Sequence, residues 1–503
     1  MNASIKKSIY FLLVAGSITL HADDSKKTFG FPFFDQRPQV LNTARRMSGE
    51  VTLWNCYDMD RINGTLSITP EYTRSFDRDE LAKFLFFNGF NTMKFGPAGA
   101  EDTDVASREF VMSNSFEGLI TAKPRVENVL VDIGFRLGLD EWVEGLYFDV
   151  HGPIDWTRWD MNFPGNETDI INSTTIQAGV ISDDATTTPA ATIIEAWQGN
   201  VVVGNVKEPM RNAIVDGGKS LVRLADLELA LGYNFILSSW MHLGATFRVL
   251  APTGNRPDAV YFFEPVAGDG KHTGIGAGLS GHFELWNNCC DQDFGIYFMA
   301  NFYHLFRSTQ KRTFDFTQNG IGSRYLLLKE FNSIGEYSGF IQRGPNVTTL
   351  DAKVSIPFEA DASILFNYEK CGFTFDVGYN IWGRSGEDIK ITGEIDKNRW
   401  GIKGDTLVTG TTQNLTASMS HINGSNASAD STAVFIKTDD LDVEGAEHPS
   451  AISHKIFTHL GYIWDNCDYS PFLGVGGEVE FSGRQDRALD QWGIWAKGGF
   501  FYS

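Results

Sequence analysis

Twelve charged residues stand at alternate positions of otherwise apolar or small-residue stretches: Asp132, Arg136, Asp149, Glu228, Arg248, Glu284, Glu359, Asp361, Asp376, Glu478, Glu480 and Lys497. In an extended strand successive side chains point to opposite faces, so one stripe faces water while its neighbours face something apolar. Acids outnumber bases nine to three in this set, and rings of Asp and Glu favour cations. The set therefore predicts a pore-lining surface with a weak cation preference. Its densest acidic patch falls where Glu359 and Asp361 share a face, with Asp376 on the adjoining strand. The competing reading is that these carboxylates pair with bases across the interior.

Other chemistry is thin. Five cysteines, Cys56, Cys289, Cys290, Cys371 and Cys467, fall at or beside short turns. In an oxidising compartment such thiols pair. Neighbouring turns favour Cys56 with Cys467 and Cys290 with Cys371, and the odd number leaves Cys289 free or bonded to another molecule. Thiols spread around a rim are poorly placed for tetrahedral zinc, so no metal and no cofactor is expected. His421 and Ser425 are the nearest approach to a catalytic pair, but they lie in the longest polar loop with no strand to hold them. No enzyme activity is expected.

The elements that must position these residues have a period of two. Val129, Val131, Ile133, Phe135, Leu137 and Leu139 alternate with polar or small residues, and Leu146, Phe148 and Val150 repeat the pattern after a turn at 140–145. The same alternation recurs at 227–235, 241–249, 275–285, 296–302, 356–366, 373–381, 460–464, 473–481 and 492–502, with a first strand through Leu66, Ile68 and Tyr72. That is about twelve strands, with fourteen as the alternative. Tight turns at 140–145, 237–239, 287–293, 369–372 and 465–469 alternate with long polar connections near 77–126, 158–220, 253–271, 309–350 and 386–450. Short turns on one rim and long loops on the other predict an all-β, transmembrane, antiparallel up-and-down barrel with short periplasmic turns and long extracellular loops. Trp54, Trp240, Trp286 and Trp464, beside the short turns, are expected to form its periplasmic aromatic girdle.

Composition agrees. Among 503 residues, 39 Phe and 12 Trp argue against disorder, and a formal charge of −21 argues against a nucleic-acid partner. Beyond residue 22 no run approaches the roughly 18 apolar residues of a spanning helix. Lys6 and Lys7 precede an apolar stretch from Ile9 to Leu20, so 1–22 reads as a cleaved secretory signal. Residues 23–62 then form a periplasmic N-terminal segment or a plug, and 63–503 the barrel. Phe29, Phe31, Phe33 and Phe34 would either enter the lumen or decorate a tail.

The signal, the acidic mature chain, the alternating strands and the terminal stretch Trp492-Gly-Ile-Trp-Ala-Lys-Gly-Gly-Phe-Phe-Tyr502 together resemble Gram-negative outer-membrane porins and the long-chain fatty-acid transporter class. Two features depart from the pattern: Ser503 follows the last aromatic, and Lys497 stands where a Gly is usual. The resemblance implies a bacterial outer-membrane location, contact with outer-membrane lipid, recognition of the last strand by the barrel-insertion machinery, and room for homo-oligomers. The function expected is a channel for passive passage of small solutes. A plugged transporter of apolar molecules, or a surface adhesin using its long loops, is the alternative.

Overall fold

The computed structural model describes residues 27–55, 62–97, 102–163, 168–171, 174–176, 180–182, 188–238, 240–288, 292–333, 337–403, 435–464, 469–483 and 487–502. The signal-like stretch, four of the five cysteines, and His421 with Ser425 lie outside the described residues.

One antiparallel sheet closes on itself. Its strands are β1 (Gly64–Ser75), β2 (Arg125–Gly138), β3 (Leu146–Asp160), β4 (Leu227–Ser238), β5 (Met241–Ala251), β6 (Gly274–Asn288), β7 (Gln292–Thr313), β8 (Thr349–Lys370), β9 (Phe373–Arg384), β10 (Ala451–Ile463), β11 (Tyr469–Ser482) and β12 (Gln491–Tyr502). Each pairs with the next, and β1 pairs with β12, Gly64 lying opposite Tyr502. The fold is thus a closed twelve-stranded up-and-down barrel, and two short segments extend it: Lys219–Leu224 beside β3 and Asp388–Ile391 beside β8.

The barrel is turned inside out relative to a soluble protein. Val129, Ile133, Leu231, Phe247, Leu279, Phe375, Leu460 and Val475 are exposed on the outside, whereas Asp132, Glu228, Asp361, Asp376 and Lys455 are buried inside. An apolar outer band with a polar interior is the signature of a barrel solvated by lipid, where closure gives every strand a hydrogen-bonding neighbour. Trp240, Trp286 and Trp464 are exposed at the short-turn end as expected. Trp54 is not part of this girdle. It is buried inside the barrel, under the Arg136 guanidinium at 4.9 Å.

At the other end the structure departs from the expectation of polar loops. β7 and β8 each run 22 residues and carry the sheet well past the belt. The connections beyond them fold into a cap with its own cores. Helices α2 (Arg78–Leu85) and α3 (Ile193–Gln198) pack with a four-stranded sheet that includes Thr92–Gly96 and Glu117–Thr121. A second sheet pairs Leu327–Phe331 with Tyr337–Arg343 and Trp400–Ile402. Phe84, Phe86, Phe95, Trp159, Trp197 and Phe262 form the larger cap core. Their spacing is irregular, so neither a period of two nor one of 3.6 announces them.

Candidate functional site

The lumen is occupied by the chain's own N-terminal segment. Residues 27–34 lie in the cap, where Phe31 stacks on Phe84 at 4.5 Å and Phe34 meets Trp159 edge-on at 5.7 Å. Arg324, fully buried and held by Asp315, donates from Nη2 to the Gly30 carbonyl. Burial and the Arg324 guanidinium hold the Lys27 ammonium down to about 8, against the pull of Asp315 at 3.6 Å. From this anchorage the segment descends inside the barrel to Trp54 at the short-turn end. A single turn of helix, α1 (Thr43–Met47), opens where the Asn42 side chain caps the Arg45 amide at 3.1 Å.

Three arginines of this segment meet the inward carboxylates level by level. Arg37 donates to Asp361 at 2.7 Å, to Glu480 at 3.0 Å and to Asn380 at 2.9 Å. Arg45 is 2% exposed and bridges Glu71 and Asp132, while its Nη2 also reaches the Gln39 carbonyl at 2.7 Å. Arg46 pairs with Asp149 at 2.9 Å and with Glu50 four residues on. Backbone groups join in: the Thr43 amide donates to Asp361 at 2.7 Å and the Gly49 amide to Asp376 at 2.8 Å. From β12, Lys497 donates to the Arg45 and Arg46 carbonyls and to Glu50. Asp35, above them, takes the Arg384 guanidinium.

Of the twelve charged residues read from the sequence, eleven are buried in this interior. Asp132, Asp149, Glu359, Asp361, Asp376, Glu478 and Glu480 all face the plug or its immediate neighbours. Glu228 pairs with Arg248 and accepts from the Tyr303 hydroxyl. Arg136 lies 3.9 Å from Asp149 and 3.7 Å above the Tyr147 ring. Glu284, beside a register shift near the short-turn end, is only partly buried. The set does not line open water, as the expected passage would require. Six of the seven carboxylates facing the plug or its immediate neighbours accept from the plug, whose residues 35–50 occupy the space between the walls, and Glu359 accepts from Trp382 Nε1 of β9.

Sequence reasoning missed Glu71, His151, Lys455 and His459, all buried and inward. His151 sits 3.4 Å from Asp132 and 3.5 Å from Glu228, and Lys455 lies 2.6 Å from Glu478. Strand parity would have found them, since His151 shares a face of β3 with Asp149, and Glu71, Lys455 and His459 alternate with the outward Ile68, Ile456 and Leu460. Parity could not have found Arg37, Arg45 and Arg46, which lie in no strand. Cys371, at the turn between β8 and β9, is exposed, and Cys290, the partner expected for it, lies outside the described residues. Among the described residues no group of three or more His, Cys, Asp or Glu converges as metal ligands.

No protein-family description matches this chain, and no curated protein matches it in sequence. Among solved structures, an outer-membrane channel from Pseudomonas putida F1 is 10% identical, covering 89% of this chain and 98% of its own, with a TM-score of 0.35. The P. putida toluene transporter TodX is 8% identical, covering 92% of this chain and 93% of its own, at 0.33. The β-domain of the Bordetella autotransporter BrkA is 8% identical, covering 88% and 100%, at 0.30. These likenesses are loose, and the barrel assignment rests on the closed hydrogen-bonding pattern and the apolar outer belt. By those two observations the chain is a transmembrane β-barrel of outer-membrane type closed by twelve strands, and the ion pairs of Arg37, Arg45 and Arg46 place residues 35–50 in its lumen.

Proposed function

We propose that the protein is a plugged outer-membrane channel for small solutes, reached through a cleaved signal peptide, with residues 35–55 as its resident gate. The carrying observation is the seating of Arg37, Arg45 and Arg46 on Asp361, Glu480, Glu71, Asp132 and Asp149 across the lumen. A buried charge left without its partner is costly, so each ion pair favours the seated plug over any state that parts them. The cation preference expected from the inward acids belongs, on this reading, to a form in which the plug has moved and the carboxylates face water. A second reading, a transporter of apolar molecules, is supported by a pocket of about 180 Å³ in the cap, where Phe87, Phe110, Ile321, Tyr325 and Leu326 line one part and the polar Asp104, Glu109, Asn319 and Ser323 the rest.

The test is single-channel recording in a planar bilayer. The wild-type barrel should open rarely. The triple variant Arg37→Met, Arg45→Met and Arg46→Met should conduct for most of the record, with a reversal potential in a salt gradient that favours cations. Equal conductance in the two would refute the plug as the gate, and an anion-selective triple variant would refute the acidic lumen as the filter.

A further inference from the structure

The chain passes through the barrel once more than its twelve strands require. β1 opens at Gly64, opposite Leu137 of β2 and Tyr502 of β12, so both ends of the barrel meander stand at the short-turn rim. The plug reaches that rim at its C-terminal end, where Leu53 packs with Ile463 and Phe472, which flank the connection from β10 to β11. Its N-terminal end lies on the other side of the apolar belt. Lys27 Nζ donates at 3.1 Å to the Gly445 carbonyl in the connection from β9 to β10, and the Phe29 ring lies against Gly89, just past α2. Short turns mark the periplasmic face of such barrels, so the cap stands outside.

Three observations bear on this extra crossing. First, it emerges at a surface. Thr28 is exposed, and so are Phe90, next to Gly89, and Ile321, whose Cγ2 a Cβ on Gly30 would strike. Second, the lumen holds one chain and no more. Arg37 and Arg45 grip β1, β2, β8 and β11, while Gln36 and Gln39 bond Val266 and Gly268 of the β5–β6 connection, and Val40 and Leu41 pack with Leu250, Tyr303 and Leu305. The cavity left beside residues 40–43 is about 10 Å³, room for about one water, so the chain cannot return beside itself. Third, Phe31 and Phe34 are buried in the larger cap core. Drawing the segment back to the periplasm would strip both rings from it.

We propose that the barrel conveys a polypeptide, its own N-terminal end, from the periplasm to the cell surface. The segment is threaded through the lumen once, during assembly, and remains there with Thr28 outside. The inference rests on the path of residues 27–55 and goes beyond the plugged-channel reading, since it holds whether or not the plug ever opens. The traveller is an unfolded chain, because the lumen has the cross-section of one backbone with its side chains. Its arginines travel along a ladder of carboxylates. Asp149 and Asp132 stand nearer the rim and Asp361 and Glu480 nearer the cap, so Arg37 meets successive acids before it seats on the upper pair.

The experiment asks which face Thr28 reaches. Cells make the full chain with its five natural cysteines as Ser, carrying Thr28→Cys or, as a marker of the cap surface, Phe90→Cys; a third form keeps Cys371 alone, in the exposed short turn. A polyethylene-glycol maleimide too large for porins is the probe, and the gel shift between folded and boiled protein selects assembled barrels. Thr28→Cys and Phe90→Cys should be labelled on intact cells to within twofold of their level after permeabilisation, and Cys371 at least tenfold less. Labelling of Phe90→Cys on intact cells with none of Thr28→Cys would overturn the threading, and the plugged-channel reading would still stand if the triple arginine variant conducts. A Cys371 labelled on intact cells would put the short turns outside and overturn it too. Thr28→Cys labelled on intact cells, with no conductance from wild type or the triple arginine variant, would uphold the threading and overturn the channel reading alone.

Discussion

Arg45 is the residue whose removal most directly tests whether electrostatics seats the plug. Its guanidinium is 2% exposed and touches Glu71 through Nη1 and Asp132 through Nε and Nη2, at 3.2 and 3.0 Å for the latter pair. Arg45→Met keeps the length of the side chain and leaves two carboxylates buried without their cation. Deleting one partner of a buried pair costs about 3–5 kcal/mol. At about 1.4 kcal/mol per tenfold, that moves the balance between seated and unseated plug by about two to three and a half powers of ten. His151, 3.4 Å from Asp132, can offset part of the loss, so the lower end is expected: about a hundredfold rise in open probability in single-channel records. Adding Glu71→Gln and Asp132→Asn removes the stranded charges and should bring the open probability back to within about tenfold of wild type. The gel shift between folded and boiled protein should persist throughout, because the strands are untouched. If Arg45→Met folds and opens no more than threefold above wild type, the ion pairs do not hold the gate.

Two further outcomes follow from single residues. Gly49 has φ +74°, and a Cβ there would run into the His459 imidazole, with Nε2 at 2.8 Å; Gly49→Ala should cost about 1–3 kcal/mol of plug seating, seen as faster protease cleavage near residue 49 with an unchanged barrel gel shift. In the loop between β5 and β6, burial pushes the Glu264 carboxyl up to about 7; this raised value stabilises the folded loop most below its unfolded value of about 4.3, and the stabilisation is lost as pH rises through 7. Hydrogen exchange of residues 252–273, corrected for intrinsic rates, should therefore quicken from pH 5 to pH 8, and Glu264→Gln should flatten that trend.

The barrel was legible because its signal is local. The run Val129 to Leu139 already states which side chains share a face, since the pleat has a period of two whatever the strand pairs with. The turn at 140–145 and its counterparts supplied the strand order, and closure at twelve followed from an even meander with no unpaired edge. What the inward residues do was decided elsewhere. Arg37 meets Glu480 across 443 residues of sequence and Asp361 across 324, and nothing in either neighbourhood marks the partner. The cap cores are of the same kind, because Trp197, Phe262 and Phe95 come from separate connections with no shared period. Trp54 makes the point in one residue. Its neighbours read as a rim, yet the chain at that position is still the plug, and the ring lies beneath Arg136 inside the barrel. Alternation belongs to the sequence because it repeats every second residue. The sealing of the lumen belongs to the tertiary structure, because only a closed wall brings its carboxylates around a segment threaded through the middle.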